Sequence, residues 1–422
     1  MLNVYRTRET CRTGKFGAVL RIATGCCLCL SIILSVACTY QAVPTETPRS
    51  SSIYTVPSHS VSDPKIPEET TVPAGFYGDK GLADALVFAC NSGYQGTVLI
   101  WKDEEIRLET FSGFSDVDKE ILCVPETTYE IGSITRQFTA VGVMMLFEEG
   151  ILNLDAPLSE YIPEYTYADR VTVRMLLSMT SGIPDYLKET VANRQYTQGL
   201  LAKGLTSKSA LAAVDGFGAL DSSFESILEI VQEEPLLFEP GTGFSVSNTG
   251  YVFLAEVIER VSGIPYIHFM QKNILTPAGL DTASFSPSYD TATGYLYMGT
   301  LQYRAPNTPL IADGGLRMSA KDLLVWMQII HERRLLTAES WELILDPGQN
   351  QYGMGFAVLS DGSFVEVSDI GGFSGMAAYV PSENLVVIIL LNRNSDERWA
   401  EPVLDIVYEY YGIGADEEPP GP

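Results

Sequence analysis

The sequence has few histidines and far fewer basic than acidic residues. It contains only three histidines in 422 residues, and 27 lysines and arginines against 53 aspartates and glutamates, which gives a net charge of −26. Because no basic patch is present to neutralise phosphates, nucleic acid is not expected as a partner. The sequence shows no metal-ligand cluster, phosphate-binding loop or dinucleotide fingerprint, so neither a metal nor another cofactor is expected.

Cysteine is scarce beyond the N-terminus. Five of the seven cysteines lie within the first 38 residues, which leaves Cys90 and Cys123 in the remainder of the chain. These two form either a disulfide, if the chain lies outside the cytoplasm, or two separately buried thiols. Two buried thiols are favoured, but the sequence does not place the two residues in contact.

The first 38 residues have the layout of a secretory leader. Five basic residues precede the apolar run IATGCCLCLSIILSVAC, which ends in small residues before Cys38. The final LSVAC resembles a bacterial lipoprotein cleavage box, in which the cysteine is lipidated, although Ser35 stands where leucine is usual. An uncleaved signal anchor is the alternative. Either way, the rest of the chain is expected outside the membrane, anchored through its N-terminus or secreted.

The composition divides the rest of the chain into a tether, one folded domain and a tail. Residues 39–75 are rich in serine, threonine and proline and predict an extended tether. The folded domain is expected over 76–412, and residues 413–422 form an acidic tail.

Hydrophobic patterning predicts the fold class of this domain. Residues 96–116 alternate on both sides of a turn, which predicts an antiparallel hairpin. The run LVVIILL (385–391) is apolar on both faces and predicts a central strand covered by helices. Between them, YVFLAEVIERVSG (251–263) predicts an amphipathic helix that ends at a glycine, and Ser319 is expected to cap another. We therefore expect an α/β (α+β) fold, in which an antiparallel sheet from 76–132 and 310–412 is flanked by helices, with an all-helical subdomain at 133–309.

Several stretches resemble one known family. In chain order they are GSITRQFTAV (132–141), VTVRMLLSMTSGIPDY (171–186), FSVSNTGY (244–251), DGGLRMSAKDL (313–323) and DIGGFSGMAAYVP (369–381). Over about residues 96–394 the chain resembles the serine β-lactamase and penicillin-binding-protein superfamily, specifically its class C β-lactamase-related branch.

The resemblance implies roles for residues in two of the family's catalytic elements. In Ser-x-x-Lys the serine is the nucleophile and the lysine assists its deprotonation; Ser133 matches the serine, but Arg136 occupies the lysine position. In Tyr-x-Asn the tyrosine hydroxyl carries the proton to the leaving group. Here Val246 occupies the tyrosine position, whereas Asn248 matches and is a candidate for substrate binding.

The third element, Lys/His-x-Gly, lies on a strand edge and faces the substrate. The resemblance puts Asp369 at the Lys/His position and matches Gly371, a further substrate-binding candidate. The backbone N–H groups of Ser133 and Gly372 would form the oxyanion hole. Because Arg136 and Asp369 have opposite charges at facing positions, we expect them to form a salt bridge across the cleft floor.

These substitutions determine the expected function. Arginine remains charged in proteins and cannot accept a proton, and valine has no proton to exchange. The favoured hypothesis is a catalytically impaired member that binds a cell-wall peptide or a protein in the former active cleft. The alternative is an active serine hydrolase (an esterase, amidase, β-lactamase or D-amino-acid peptidase) acylated at Ser133 by a cell-wall peptide or small acyl substrate. A third reading is a surface module in which the cleft has no role.

Overall fold

The structure is a computed structural model that describes residues 74–90, 95–187, 221–298, 301–305, 310–370, 372–393 and 400–413. The leader with Cys38, almost all of the predicted tether, Gly371 and all but the first residue of the acidic tail lie outside the described residues. Among the described residues, no helix has both the length and the apolar character needed to cross a membrane.

The centre of the fold is a six-stranded antiparallel sheet built from both ends of the chain. Its strand order is β1-β3-β2-β12-β11-β10. The strands are β1 (Ala74–Gly78), β2 (Gly96–Lys102), β3 (Glu105–Ser112), β10 (Phe364–Ile370), β11 (Phe373–Val380) and β12 (Leu385–Leu391). All seven residues of β12 are buried, which confirms the predicted central strand. The expected sheet-and-helix fold class is thus confirmed.

Helices cover both faces of this sheet. On one face, α1 (Lys80–Cys90) and α10 (Ala400–Tyr411) pack against alternate residues of the strands. The other face packs on the larger core, which includes α2 (Thr135–Glu148), α8 (Ala320–His331) and α9 (Ala338–Leu345). Because both faces are covered, apolar residues are stable at every position of the central strands.

In the sequence, the remaining helices and short strands lie mainly between the N-terminal and C-terminal strands of the sheet. The helices are α3 (Val173–Leu177), α4 (Phe224–Val231), α5 (Asn248–Ser262), α6 (Tyr266–Met270) and α7 (Thr276–Ala278). The short strands are β4 (Phe114–Asp116), β5 (Ile121–Leu122), β6 (Tyr129–Glu130), β7 (Tyr295–Met298), β8 (Leu301–Arg304) and β9 (Arg317–Met318). The segment expected to be all-helical thus also contains the β7–β8 hairpin.

Two predicted helix boundaries are present. Helix α5 ends at Gly263, which adopts φ +68°, a conformation that glycine reaches without strain. The Ser319 side chain caps α8 by accepting a hydrogen bond from the backbone N–H of Asp322. Local chemistry therefore sets the ends of helices whose packing depends on the whole fold.

Cys123 is a free, buried thiol. The Cys90–Cys123 disulfide, one of the two alternatives, is therefore not formed. Burial raises the pKa of the Cys123 thiol to about 11, because a thiolate is poorly stabilised away from water.

Candidate active site

Ser133 lies at the junction between the sheet and the helical region. It belongs to a single 3₁₀ turn, Gly132–Ile134, and α2 begins directly after it at Thr135. Its neighbours on both sides are buried, whereas Ser133 itself is partly exposed. Its hydroxyl makes no hydrogen bond with any residue that the structure describes. Among the described residues, no base is therefore hydrogen-bonded to the hydroxyl of the candidate nucleophile.

The backbone amide of Ser133 does have a partner. Its N–H donates a hydrogen bond to Oγ of Ser368, on the edge strand β10, at 3.0 Å. Gly132 allows this close approach, because a Cβ atom at that position would lie only 1.8 Å from the Ser368 oxygen. Gly132 also adopts φ +52°, a backbone conformation that residues with side chains rarely adopt.

Arg136 lies one turn along from Ser133 and is almost completely buried, with 2% of its surface exposed. Its Nη2 donates to Oδ1 of Asn248 at 2.7 Å. Its Nη1 lies 3.8 Å from Oε1 of Glu366 on β10, and the guanidinium carbon lies 5.8 Å from the centre of the Tyr251 ring. The position of the family's lysine is thus occupied by a cation held between an amide and a carboxylate.

The expected salt bridge between Arg136 and Asp369 is not formed. Successive side chains of a strand point to opposite faces of the sheet. Glu366 and Ser368 face the side of α2, and Asp369 faces the other side, where its Oδ1 accepts a hydrogen bond from Ser374 Oγ at 3.3 Å. The residue of β10 that meets Arg136 is therefore Glu366.

Asn248 is the first residue of α5, and the N-cap is Ser247, whose side chain accepts from the N–H of Gly250. Asn248 is 5% exposed. Its backbone N–H and side-chain Nδ2 both donate to Oδ2 of Asp185, at 3.0 and 2.9 Å. With its Oδ1 bound to Arg136, it forms a bridge between the cation and a second buried carboxylate, and this network fixes its orientation.

Two of the surrounding carboxyl groups are strongly affected by burial. Burial raises the pKa of Glu366 to about 7 and that of Asp313 to about 6, although the positive charge of Arg136 acts in the opposite direction on both. Tyr186 donates its hydroxyl to Oδ2 of Asp313 at 2.8 Å. Together with Asp185, these groups place three buried acids around one buried arginine, which we call the Arg136 cluster (Arg136, Asp185, Asn248, Asp313 and Glu366).

The remaining predicted site residues lie at the edges of this arrangement. Val246 is partly buried against the larger core and offers no hydroxyl. Gly372 adopts φ +80°, and its carbonyl accepts from the N–H of Tyr295 at 3.1 Å. A Cβ on Gly372 would lie 2.7 Å from both Tyr295 N and Ala305 Cβ. Gly372 thus packs against the β7–β8 hairpin, and the side chain in contact with the Ser133 amide belongs to Ser368.

Sequence reasoning missed Asp185, Asp313, Glu366 and Ser368. Glu366 and Ser368 did carry a signal, since both are polar residues among the valines in the buried part of the strand FVEVSDI. A buried charged residue of this kind usually has a partner. Nothing in the sequence pattern indicated that this partner is Arg136.

Comparisons with known proteins show what the whole chain is similar to. A family model described as Beta-lactamase matches residues 85–405. The putative penicillin-binding protein PbpX of Bacillus subtilis (strain 168) is 26% identical over 314 residues, which are 72% of each chain.

Solved structures show the same architecture. The octameric penicillin-binding protein homologue from Pyrococcus abyssi has a TM-score of 0.67 at 26% identity, covering 81% of this chain and 79% of its own. The D-amino acid amidase from Ochrobactrum anthropi SV3 has a TM-score of 0.63 at 20% identity, covering 79% of this chain and 100% of its own. At that identity the amidase supports the fold alone.

Proposed function

Because the chain belongs to the β-lactamase family, we propose that it is a penicillin-binding-protein-like member whose acyl transfer at Ser133 is strongly impaired. It has the serine hydrolase type of fold. In this proposal, the cleft beside Ser133 binds a cell-wall peptide or a protein ligand without rapid turnover. The observation that carries the proposal is the buried Arg136, which is bonded to Asn248 and lies beside Glu366.

The chemistry of Arg136 supports impairment. A general base must hold an available lone pair, and the guanidinium group stays protonated throughout the pH range of folded proteins. The neighbouring carboxylate and amide oxygens stabilise its charged form further. Proton transfer by a positioned side chain contributes about 10²–10⁴ in rate, and Val246 removes the second group expected to transfer a proton.

An active hydrolase is the second candidate, and Glu366 is the observation that favours it. A carboxyl group with a pKa of about 7 is well suited to act as a general base near neutral pH. However, the Ser133 hydroxyl makes no hydrogen bond with Glu366, so this reading requires the site to rearrange. Impaired chemistry is the simpler account.

The proposed location is outside the cytoplasm. It is supported by the order of basic, apolar and small residues before Cys38. If Cys38 is lipidated, the full chain expressed in a bacterium will partition into the detergent phase, and Cys38→Ser will release it or leave it unprocessed. Equal partitioning and equal mass for the two chains would exclude lipidation at Cys38 and leave the uncleaved anchor.

Covalent labelling with a fluorescent penicillin tests the catalytic part of the proposal. We expect the wild-type protein to label no faster than Ser133→Ala under the same conditions. Rapid labelling that depends on Ser133 would overturn the proposed impairment and favour the active hydrolase.

Restoration of the motif adds a test of which β10 residue faces the site. The structure predicts that Arg136→Lys, Val246→Tyr and Glu366→His together recover labelling, because residue 366 faces Arg136. The matched control is Arg136→Lys, Val246→Tyr and Asp369→His, in which the imidazole lies on the opposite face of the sheet. If this control recovers labelling and the Glu366→His combination does not, the assignment from geometry is wrong.

A further inference from the structure

The side chain of Ser368 binds the backbone amide that is one of the two expected oxyanion-hole donors. Its side chain is 2% exposed, and its Oγ accepts the hydrogen bond of the Ser133 N–H at 3.0 Å. An oxyanion hole works because its donors point at an empty position that the developing negative charge will fill. Here the hydroxyl oxygen of Ser368 already accepts the hydrogen bond of one of the two expected donors.

The backbone on the opposite side of the contact is shaped to admit Ser368. A Cβ on Gly132 would lie 1.8 Å from Ser368 Oγ and 3.0 Å from Ser368 Cβ. Real side chains do not approach so closely, so only glycine at position 132 leaves room for the serine. The contact therefore depends on two residues, Gly132 on the 3₁₀ turn and Ser368 on β10.

The positions of Glu366 and Ser368 on β10 can be compared with the Lys/His-x-Gly element. Glu366 is the side chain that faces Arg136, and Ser368 is the next residue on the same face of the strand. If Glu366 stands where the Lys/His-x-Gly element has its lysine or histidine, then Ser368 stands at the position of that element's glycine. Glycine leaves the amide of the nucleophile open, whereas serine adds a hydroxyl within hydrogen-bonding distance.

We propose that Ser368 is a blocking residue, whose hydroxyl replaces the substrate carbonyl oxygen at the Ser133 N–H and keeps acyl groups out of the position needed for attack by Ser133. This proposal rests on the assignment of Ser133 as the ancestral nucleophile. It adds a second, separate cause of impairment: no proton acceptor among the described residues is bonded to the Ser133 hydroxyl, and the Ser133 N–H is already engaged by Ser368. Restoring the acceptor alone then gives only part of the lost rate.

The test is the rate at which a fluorophosphonate probe labels the full-length chain at Ser133. In this reaction the Ser133 oxygen forms a bond to phosphorus, the phosphorus–fluorine bond breaks, and fluoride and the hydroxyl proton leave. The background is Arg136→Lys, Val246→Tyr, Glu366→His, in which a proton acceptor is available. Since removing one oxyanion-hole donor typically slows catalysis by about 10²–10³, we expect Ser368→Ala to accelerate labelling in this background at least about tenfold.

Ser374→Ala is the matched control. Ser374 is a buried serine on the neighbouring strand β11, and it donates to Asp369 Oδ1 and to the carbonyl of Arg393 on the other face of the sheet. Ser374→Ala removes an equivalent serine hydroxyl from the same sheet but leaves the hydrogen bond of the Ser133 N–H intact. Equal labelling rates for Ser368→Ala, Ser374→Ala and the parent would overturn the proposal for Ser368, whereas rapid labelling of the wild type would overturn the proposed impairment.

A second measurement is independent of acylation. Hydrogen exchange of the Ser133 amide should be slow in the wild type and in Ser374→Ala, and faster in Ser368→Ala, because only that variant removes the acceptor. Thermal melting establishes that all three chains are folded. If the Ser133 amide exchanges equally fast in all three folded chains, the hydrogen bond does not protect it and the proposal is wrong, even if no variant reacts with the probe.

Discussion

Replacement of Arg136 by methionine should destabilise the fold in a manner that depends on pH. Methionine fills a similar volume, so the main change is the loss of the buried cation beside Glu366 and of the donor to Asn248. Removing one partner of a buried ion pair typically costs about 3–5 kcal/mol, because the other charge remains buried. We expect a loss of this size in the free energy of unfolding at pH 8.

At pH 5 the loss should be smaller. The pKa of Glu366 is about 7 with Arg136 present, and removal of the cation raises it further, so this carboxyl is protonated in the folded variant at pH 5. The remaining cost is then the hydrogen bond to Asn248 and the lost packing, about 1–3 kcal/mol. The difference between the two pH values reports the charge of Glu366 together with that of Asp313, whose pKa of about 6 lies in the same range and is also affected by Arg136.

The wild type should also become less stable as the pH rises through the same range. The folded-state pKa of Glu366, about 7, and that of Asp313, about 6, both lie above the ordinary values of 4.5 and 3.8. The folded protein therefore holds these protons more tightly than the unfolded chain, and the free energy of unfolding falls as the pH rises from about 4 to about 7.

Urea denaturation, followed by tryptophan fluorescence at pH 5 and pH 8, measures both effects. The control is Arg136→Met combined with Glu366→Gln, in which the carboxyl facing Arg136 can no longer ionise. Relative to the wild type, this double variant should lose much less stability at pH 8 than Arg136→Met alone. An equal loss at both pH values for Arg136→Met would refute the view that Arg136 compensates the buried charge of Glu366.

Three further predictions follow from individual contacts. Gly132→Ala should lower the free energy of unfolding, because a Cβ at residue 132 would clash with the Ser368 side chain. Adding Ser368→Gly should restore part of this loss. Additive effects in a double-mutant cycle would show that the two residues do not compete for space. Asn248→Ala should lose about 2 kcal/mol or more in urea denaturation, because Arg136 and Asp185 both lose a buried hydrogen-bond partner, and a loss no greater than that of Ser247→Ala would contradict this. Cys123, with its pKa raised to about 11 by burial, should resist alkylation until the protein is unfolded, as peptide mass mapping at pH 8 can show; modification of the native protein at the unfolded rate would contradict its burial.

The sequence was sufficient to predict most of the fold. Strand β12 is apolar on both faces, and the segment around β2 and β3 alternates between apolar and polar residues. These patterns are enough to predict a sheet that is covered by helices. The helix ends were also predictable, because they depend on single residues. The Ser319 side chain caps one helix, and the backbone of Gly263 ends another. The β7–β8 hairpin was missed.

The site was predicted less completely, because its geometry depends on strand register. The structure does place Arg136 against Asn248, each within the first two residues of its helix. The expected Arg136–Asp369 salt bridge did not form, because a shift by one residue along a strand reverses the face on which a side chain lies, and Asp369 lies on the face opposite Glu366. The pair of glycines at 371 and 372 favoured that register in the sequence, whereas the pairing of β10 with β11 turns Glu366 and Ser368 towards α2.

Steady-state hydrolysis by the purified full-length chain tests the central claim most directly. The substrates are a chromogenic cephalosporin and a nitrophenyl ester, each assayed with the wild type and with Ser133→Ala. Arg136 cannot accept the serine proton, and the Ser368 hydroxyl accepts the hydrogen bond of the Ser133 N–H. The wild type should therefore show no saturable turnover beyond that of Ser133→Ala. Saturable turnover by the wild type that disappears in Ser133→Ala would contradict this account.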